Sequence, residues 1–258
     1  MLKLLRERSR RRLRALPADP AWDAILERRF VLYRRLAAVD RDELLAHSRV
    51  LVHEKRFEGC GGLDLTDEVR VLIAAQASLL LLHRDSDYYP RLMSILVYPD
   101  AYVVPVEYDA GGGMVLSENV DHIGESWETG SLIVSWNDVL AGASGRDHGC
   151  NVVLHEFAHQ VDAETGGTDG TPRIDDPELR ERWQKVFERE YERLCEMADR
   201  RRRTFIDEYG AEHPSEFFAV ATEHFFMEPR TFAKRHPELY RVLAEFWRQD
   251  PAAYARSG

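Results

Sequence analysis

Cysteine is scarce in this chain of 258 residues. It has three cysteines, Cys60, Cys150 and Cys195, an odd number at wide spacing and without a Cys-x-x-Cys pair. Three cysteines are too few to hold a domain of this size together by disulfides. We therefore expect reduced thiols and a cytoplasmic location.

Long apolar runs and an excess of basic residues are also missing. No stretch reaches the roughly 18 apolar residues of a membrane span, and the N-terminus lacks the apolar core of a signal peptide. Acidic residues outnumber lysine and arginine by 45 to 35, which gives a formal charge of -10. Phosphate binding needs an accumulated basic surface. The sequence therefore predicts no membrane span and no direct binding of nucleic acid.

The residues that are present are those of a globular protein, with 44% hydrophobic and 31% charged residues. Residues 1–20 differ, because they are rich in arginine. They are expected to form a basic N-terminal arm, either a solvated helix or tail or a patch for an anionic partner. Residues 21–258 are expected to form a single domain with a helical N-terminal part.

Helical spacing dominates the pattern of apolar residues. Apolar side chains at helical intervals predict one helix over residues 21–57 and a second over 69–82, with Thr66 as an N-cap before the second. Short β-branched or aromatic runs predict strands at 95–98, 102–106 and 130–136. From Asn151 onward the pattern is helical again. These elements predict an α+β fold that is mostly helical, with a small mixed β-sheet.

The segment His155-Glu156-Phe157-Ala158-His159 carries the clearest chemical signal. Helical residues four apart lie about 40° apart around the axis, so both imidazoles can reach one ion. Zinc lowers the pKa of bound water to about 7, and a neighbouring carboxylate can then take the proton. The motif predicts His155 and His159 as zinc ligands and Glu156 as the general base.

A catalytic zinc normally takes a third protein ligand. The closely spaced pattern HExxHxxGxxH is excluded, because Asp162 and Thr165 stand where glycine and the third histidine belong. The third ligand must therefore lie elsewhere in the chain. The candidates are Glu164, Asp169, His213, Glu216, Glu223 and His224.

A predicted helix narrows the choice of the third ligand. Pro214 suits its first position, and residues 215–227 continue it. The helix is apolar nearly all round, so Glu216 and Glu223, seven residues apart on one face, need a metal or a hydrogen-bonding partner. Glu216 could instead be a first-turn glutamate that the helix dipole stabilises. Glu223 is better suited to accept the second N–H of a ligand histidine. The residue pattern alone leaves both roles open.

Several segments resemble one known family, the Mlc titration factor A family of bacterial zinc metallopeptidases. The resemblance covers most of the chain from about Phe30 onward. It rests on His155 to Asp162, on Tyr209, on Ser215 to Val220, on Glu223 to Phe226 and on Phe57 to Leu63. The zinc arrangement is also similar to that of the anthrax lethal factor catalytic domain.

The resemblance implies a zincin-like catalytic domain of the gluzincin type. Glu216 would be the third zinc ligand, and Tyr209 would stabilise the developing oxyanion. Glu223 and Asp162 are expected to support the ligands. The resemblance also implies aminopeptidase-like cleavage of a peptide or protein substrate. As an alternative function it implies binding and sequestration of a transcriptional repressor, which is Mlc in enteric bacteria.

The strand that contains Leu132, Ile133 and Val134 is a candidate for substrate binding. Peptides commonly add to an exposed sheet edge through main-chain hydrogen bonds. The same residues would suit an interior core strand equally well.

Overall fold

The computed structural model describes residues 2–100, 104–109, 115–120, 130–146 and 149–254. The helices are α1 Leu2–Arg14, α2 Pro20–Arg29, α3 Ala38–Glu54, α4 Asp67–Leu79, α5 Trp136–Ser144, α6 Val152–Asp162, α7 Pro177–Asp199, α8 Pro214–Met227, α9 Pro229–Arg235 and α10 Pro237–Trp247. The strands are β1 Arg56–Gly59, β2 Ser94–Tyr98, β3 Val104–Asp109, β4 Val115–Val120 and β5 Ser131–Ser135.

The α+β class is confirmed. Three strands form a parallel sheet in the order β1-β2-β5, with Ile95 of β2 opposite Phe57 on one side and Leu132 on the other. Strands β3 and β4 form a separate antiparallel pair. In the described residues the parallel and antiparallel strands thus lie in two sheets rather than in one mixed sheet. Part of the predicted strand 102–106, residues 102 and 103, lies outside the described residues.

Helix α4 forms much of the core, as its apolar sequence predicts. Thr66 is its N-cap, and the hydroxyl oxygen of Thr66 accepts a hydrogen bond from the backbone N–H of Val69. From Val71 to Leu79 every residue is buried. The helix packs against α2, α3, α5 and α6. A helix that is apolar on all sides needs such neighbours, because each large side chain gains about 1.5–3 kcal/mol by leaving water.

The prediction of one helix over 21–57 is wrong. Helix α2 ends at Arg29, Phe30 takes an extended conformation, and α3 begins only at Ala38. The backbone N–H of Val31 donates to the carbonyl of Ala143, 2.9 Å away, instead of continuing the helix. Phe30 and Tyr33 are nevertheless fully buried. The apolar spacing therefore predicted burial correctly but not backbone conformation, because tertiary packing determines the backbone conformation here.

The arginine-rich N-terminal segment is helical, and most of its arginines are exposed. Arg10 is the exception, since it is 2% exposed. Its guanidinium binds the carboxylate of Glu54 at 2.7 and 2.9 Å and that of Asp87 at 2.6 Å. A buried charge needs such partners. Arg10 therefore attaches α1 to the end of α3 and to the loop that precedes β2.

Two helices at the centre of the fold carry the candidate chemistry. Helix α6 packs beside α8 and also contacts β5. Phe157 of α6 and Phe218 of α8 are fully buried, so each helix is anchored by the face opposite its polar residues. No helix in the described ranges combines the length and the apolar character needed to cross a membrane.

Candidate metal centre

Helix α6 starts at an N-cap that fixes the position of both histidines. The side-chain oxygen of Asn151 accepts a hydrogen bond of 3.0 Å from the backbone N–H of Leu154. His155 and His159 follow, one helical turn apart, with their ring centroids 4.8 Å from each other. Both imidazoles therefore project from the same face of the helix.

Helix α8 supplies the carboxylate. The imidazole Nδ1 of His213 caps the helix by accepting from the backbone N–H of Ser215, and Pro214 occupies the first helical position. A loop approaches this helix start very closely at Gly170, whose φ is +76°. A Cβ there would lie 2.4 Å from the carbonyl oxygen of Pro214. Glycine at this position thus lets the loop pack against the turn that carries Glu216.

Three donor atoms converge between the two helices. Nε2 of His155 lies 3.1 Å from Nε2 of His159 and 3.1 Å from Oε2 of Glu216, and Nε2 of His159 lies 3.3 Å from the same oxygen. Atoms bound tetrahedrally to one zinc ion at about 2.0–2.1 Å lie about 3.3–3.4 Å apart. The triangle is therefore close to the size that a single zinc ion requires.

The hydrogen bonds of His155 indicate which of its two ring nitrogens carries a proton and which directs a lone pair towards His159 and Glu216. Nδ1 lies 2.7 Å from Oε1 of Glu223, and a carboxylate accepts, so Nδ1 carries the proton. In the neutral ring, Nε2 then points its lone pair at the carboxylate of Glu216. Two lone pairs repel unless a cation lies between them. The residues present therefore fit a metal ion, which competes with a proton for this position.

The pKa values of these side chains reflect the same crowding. Burial lowers the pKa of His155, but Glu216 and Glu223 outweigh this effect and raise it to about 10. Burial lowers the pKa of His159 to about 4, against the opposing effect of Glu216. Burial acts to raise the pKa of Glu216, yet the hydrogen bonds of both histidines bring it well below its usual value. Glu216 is therefore an anion, and His159 is neutral, as a metal ligand must be.

Glu156 lies beside the ligands and is 2% exposed. No other described residue gives its Oε1 atom a hydrogen bond. Burial, together with the charges of Glu216 and Glu223, raises the pKa of Glu156 to about 8. A buried carboxyl oxygen without a hydrogen bond is costly, and such atoms are often found at functional sites. A pKa near neutrality suits a group that exchanges protons.

Tyr209 stands at the open side of the centre. It belongs to the 3-10 turn Glu208–Ala211 and is 45% exposed, and its ring centroid lies 6.0 Å from that of His155. The carboxylate of Asp207 fixes this turn by accepting from the backbone N–H of Tyr209. Burial and then the charge of Glu216 raise the pKa of Tyr209 to about 12. Its phenol therefore keeps its proton and can act as a donor.

The other sequence-predicted residues take different positions. Asp162 is fully buried, and its Oδ2 accepts a hydrogen bond of 2.8 Å from the backbone N–H of Gly170. It thus fixes the loop that abuts the start of α8. Among the described residues, Glu164, Asp169, His213 and His224 do not join the group formed by His155, His159 and Glu216.

Strand β5 is terminal in the order β1-β2-β5. Leu132 and Val134 are buried, at 3% and 1% exposure, so their side chains belong to the core. Ile133 is half-buried. Any contact that this strand makes with a substrate would therefore come from its main chain and from the half-buried Ser131 and Ile133.

The sequence pattern missed the role of Asn151. Its backbone N–H donates to the second oxygen of Glu223, and its side chain donates to Oε1 of Gln76 at 2.8 Å. Asn151 thereby joins α4, α6 and the carboxylate that orients His155. An asparagine directly before a helical run is an N-cap signal, so its cap role was detectable, but its contact with Glu223 was not.

The comparison with family models identifies the class of the protein. The chain belongs to the family described as glucose-regulated metallo-peptidase M90, whose model matches residues 4–248. The family is a metallopeptidase family, which implies a metal cofactor. The group of His155, His159 and Glu216 is a candidate for holding it.

Individual relatives cover almost the whole chain. An uncharacterized protein of Synechocystis sp., slr2042, is 40% identical over 236 residues, which are 91% of this chain and 86% of the relative. Mlc titration factor A of Salmonella arizonae is 30% identical over 244 residues, 93% of this chain and 94% of the relative. Mlc titration factor A of Klebsiella pneumoniae is 29% identical over 93% of this chain and 89% of the relative.

Proposed function

We propose that this protein is a zinc-dependent peptidase in which His155, His159 and Glu216 hold the metal. The observation that carries the proposal is the convergence of their three donor atoms within 3.1–3.3 Å of one another. Two imidazoles and one carboxylate, without thiolate, are a ligand set of catalytic zinc sites. Zinc bound there would polarise a substrate carbonyl and lower the pKa of a water molecule.

The protein side chains supply the proton transfers. Glu156 accepts a proton from the attacking water and later gives it to the leaving amine, and its raised pKa of about 8 suits both transfers. Tyr209 donates a hydrogen bond to the oxygen on which negative charge develops. Its position at the open side of the centre, beside the ring of His155, supports this role. Glu223 keeps the imidazole of His155 oriented.

The substrate is a peptide or protein whose main chain adds to the side of β5 that faces away from β2. The terminal position of this strand in the sheet and its contact with α6 support this route. Ile133→Pro removes one backbone N–H, so turnover should fall while zinc content stays unchanged. Unchanged turnover in this variant would exclude β5 as the binding strand.

Cleavage is proposed to be aminopeptidase-like, on the strength of the family resemblance. The test compares one peptide with a free and with an acetylated N-terminus. Equal rates would contradict an aminopeptidase. The compartment is proposed to be the cytoplasm, where thiols such as those of Cys60 and Cys195 stay reduced.

Glu156→Gln tests the mechanism directly. The amide keeps the shape of the side chain but cannot take a proton, so peptide turnover should fall by about 10²-fold or more. Zinc content should stay at the wild-type value. Wild-type turnover in this variant would refute the assignment of Glu156 as the base.

A second candidate function is binding of a transcriptional repressor. It is favoured by the name of the relatives, Mlc titration factor A, at 30% identity. Binding to purified Mlc is measured for the wild type, for Glu156→Gln and for the metal-depleted protein. If all three samples bind Mlc, while Glu156→Gln and the metal-depleted protein no longer cleave peptide, the protein has both functions. Absence of binding by the wild type would remove this candidate.

A further inference from the structure

A second cavity lies away from the metal centre, between α7, residues 203–206 and the end of α9. Its volume is about 330 Å³, which is within the range of small-molecule sites. Arg193, Arg203 and Arg235 surround it, and its apolar lining includes Leu194, Met197 and Phe205. We call this cavity the basic pocket.

The end of α7 creates the basic pocket. Arg201 has a φ of 49°, in the left-handed region. The backbone N–H groups of Arg201 and Arg202 donate to the carbonyls of Ala198 and Met197, at 2.8 and 2.9 Å. This arrangement terminates the helix and reverses the chain. Residues 203–206 consequently run back along α7 and close one side of the pocket.

The charge of the basic pocket contrasts with that of the whole chain. Three arginines line it in a protein with a formal charge of -10. Its one carboxylate, Glu190, is already engaged, because Oε2 lies 2.8 Å from Nδ1 of His236. Within the described ranges, no carboxylate forms an ion pair with Arg203 or Arg235. Their guanidinium groups therefore remain available to an anion.

An aromatic surface lies next to these charges. The guanidinium carbon of Arg235 lies 5.3 Å from the ring centroid of Phe205. The ring of His236 is stacked against the same phenylalanine, with 6.0 Å between the centroids and 24° between the ring planes. A guanidinium on an aromatic ring is held in place and still offers its N–H groups at its edge. We propose that the basic pocket binds an organic anion, a phosphate or carboxylate attached to a flat apolar group.

The basic pocket is separate from the metal centre. Phe205 lies between the pocket and α8, with its ring 4.9 Å from that of His224. None of the proposed metal ligands lines the pocket. Binding of the anion should therefore not depend on the metal, and Glu216→Ala should bind it as the wild type does. The proposed anion binding is therefore independent of the proposed peptidase function.

The experiment is a calorimetric titration with phenylphosphate, phenylacetate and neutral benzyl alcohol as probes. We expect at least one of the two anions to bind with a stoichiometry of one, and the alcohol not to bind. Arg203→Ala and Arg235→Ala should each weaken binding by about five- to tenfold, since each removes a charged hydrogen-bond donor at a partly exposed site. The anion that binds identifies the class as phosphate or carboxylate.

Arg202→Ala is the matched control, because Arg202 is exposed in the same arginine run but does not line the pocket. It should bind the anion as the wild type does. Thermal unfolding tests whether the three arginine variants are folded. Failure of both anions to bind would overturn the proposal. Equal weakening by Arg202→Ala and Arg203→Ala would overturn it too, because that result indicates diffuse attraction by the arginine run.

Discussion

Within the described part of the chain, two groups of residues could each present three metal-binding atoms. The candidate metal centre, called the metal centre below, consists of His155, His159 and Glu216. The surface triad consists of Asp40, Glu43 and His83. In the triad, His83 turns Nε2 towards Asp40 at 3.3 Å and Nδ1 towards Glu43 at 3.2 Å. Each of its two short contacts thus uses a different nitrogen, so neither nitrogen is at hydrogen-bond distance from both carboxylates.

Both groups consist of histidine and carboxylate side chains, in different proportions, but they differ more in convergence and in support from neighbouring residues. In the metal centre each residue turns one atom towards a common point, and Glu223 holds the outer nitrogen of His155. His159 is 2% exposed, whereas the side chain of His83 is 39% exposed. Buried donors that converge on one point need a cation between them, either a proton or a metal ion, while exposed donors can be hydrated. The comparison therefore predicts zinc at the metal centre only.

The largest expected effect separates the two groups directly. Glu216→Ala removes one of the three proposed ligands, so bound zinc should fall from about one per chain to nearly none. Glu43→Ala, the matched change in the surface triad, should leave zinc content unchanged. Both are measured by elemental analysis of the purified proteins. Zinc retained by Glu216→Ala would contradict its assignment as the third ligand.

The next effect concerns the support of His155. Glu223→Gln keeps the size of the side chain but weakens the hydrogen bond to Nδ1, so zinc affinity should fall by about 10–100-fold. Competition with a chelator measures this change. Glu212→Gln removes the same charge from an exposed position close to the centre and serves as the control. An equal loss in both variants would mean that Glu223 acts only through its charge.

Asp162 is expected to affect stability rather than metal binding. Asp162→Ala leaves the N–H of Gly170 without its acceptor, and this should lower the free energy of unfolding by about 1–3 kcal/mol. Urea denaturation measures it, with Asp169→Ala, which removes an exposed hydrogen-bond acceptor of the same loop, as the control. A loss of zinc at unchanged stability would instead place Asp162 in direct support of the metal ligands.

The smallest effect is expected at the surface triad. His83→Ala removes two partly exposed contacts with carboxylates, each worth about 0–1 kcal/mol, so the free energy of unfolding should change by less than about 2 kcal/mol. Zinc content should again stay constant. A large loss of stability would show that the triad fixes the end of α4 to α3, and a loss of zinc would contradict the comparison of the two groups.

Local sequence signals predicted the elements that local physics controls. Thr66 caps α4 and Pro214 begins α8 where the sequence places them, because caps depend on hydrogen bonds within one turn. The break of the helix at Phe30 was not predictable from spacing. There the carbonyl of Ala143, more than a hundred residues away in sequence, replaces the helical hydrogen bond.

In the candidate site, too, some features follow from local sequence and others only from tertiary packing. The spacing of His155, Glu156 and His159 gives their common helical face by itself, since helix geometry fixes side chains four residues apart. The choice between Glu216 and Glu223 needed the structure, because seven residues of separation put both on one face. The packing of α8 beside α6 directs one towards Nε2 and the other towards Nδ1 of the same ring.

The sequence by itself determined the paired histidines, the carboxylate beside them and the mostly helical class, because each depends on periodicities within one element. Only the tertiary structure decided which distant carboxylate faces the histidines, that Asn151 ties three elements together, and that three arginines gather around the basic pocket. These features depend on the relative position of separate helices. Long-range packing sets that position, and no local pattern encodes it.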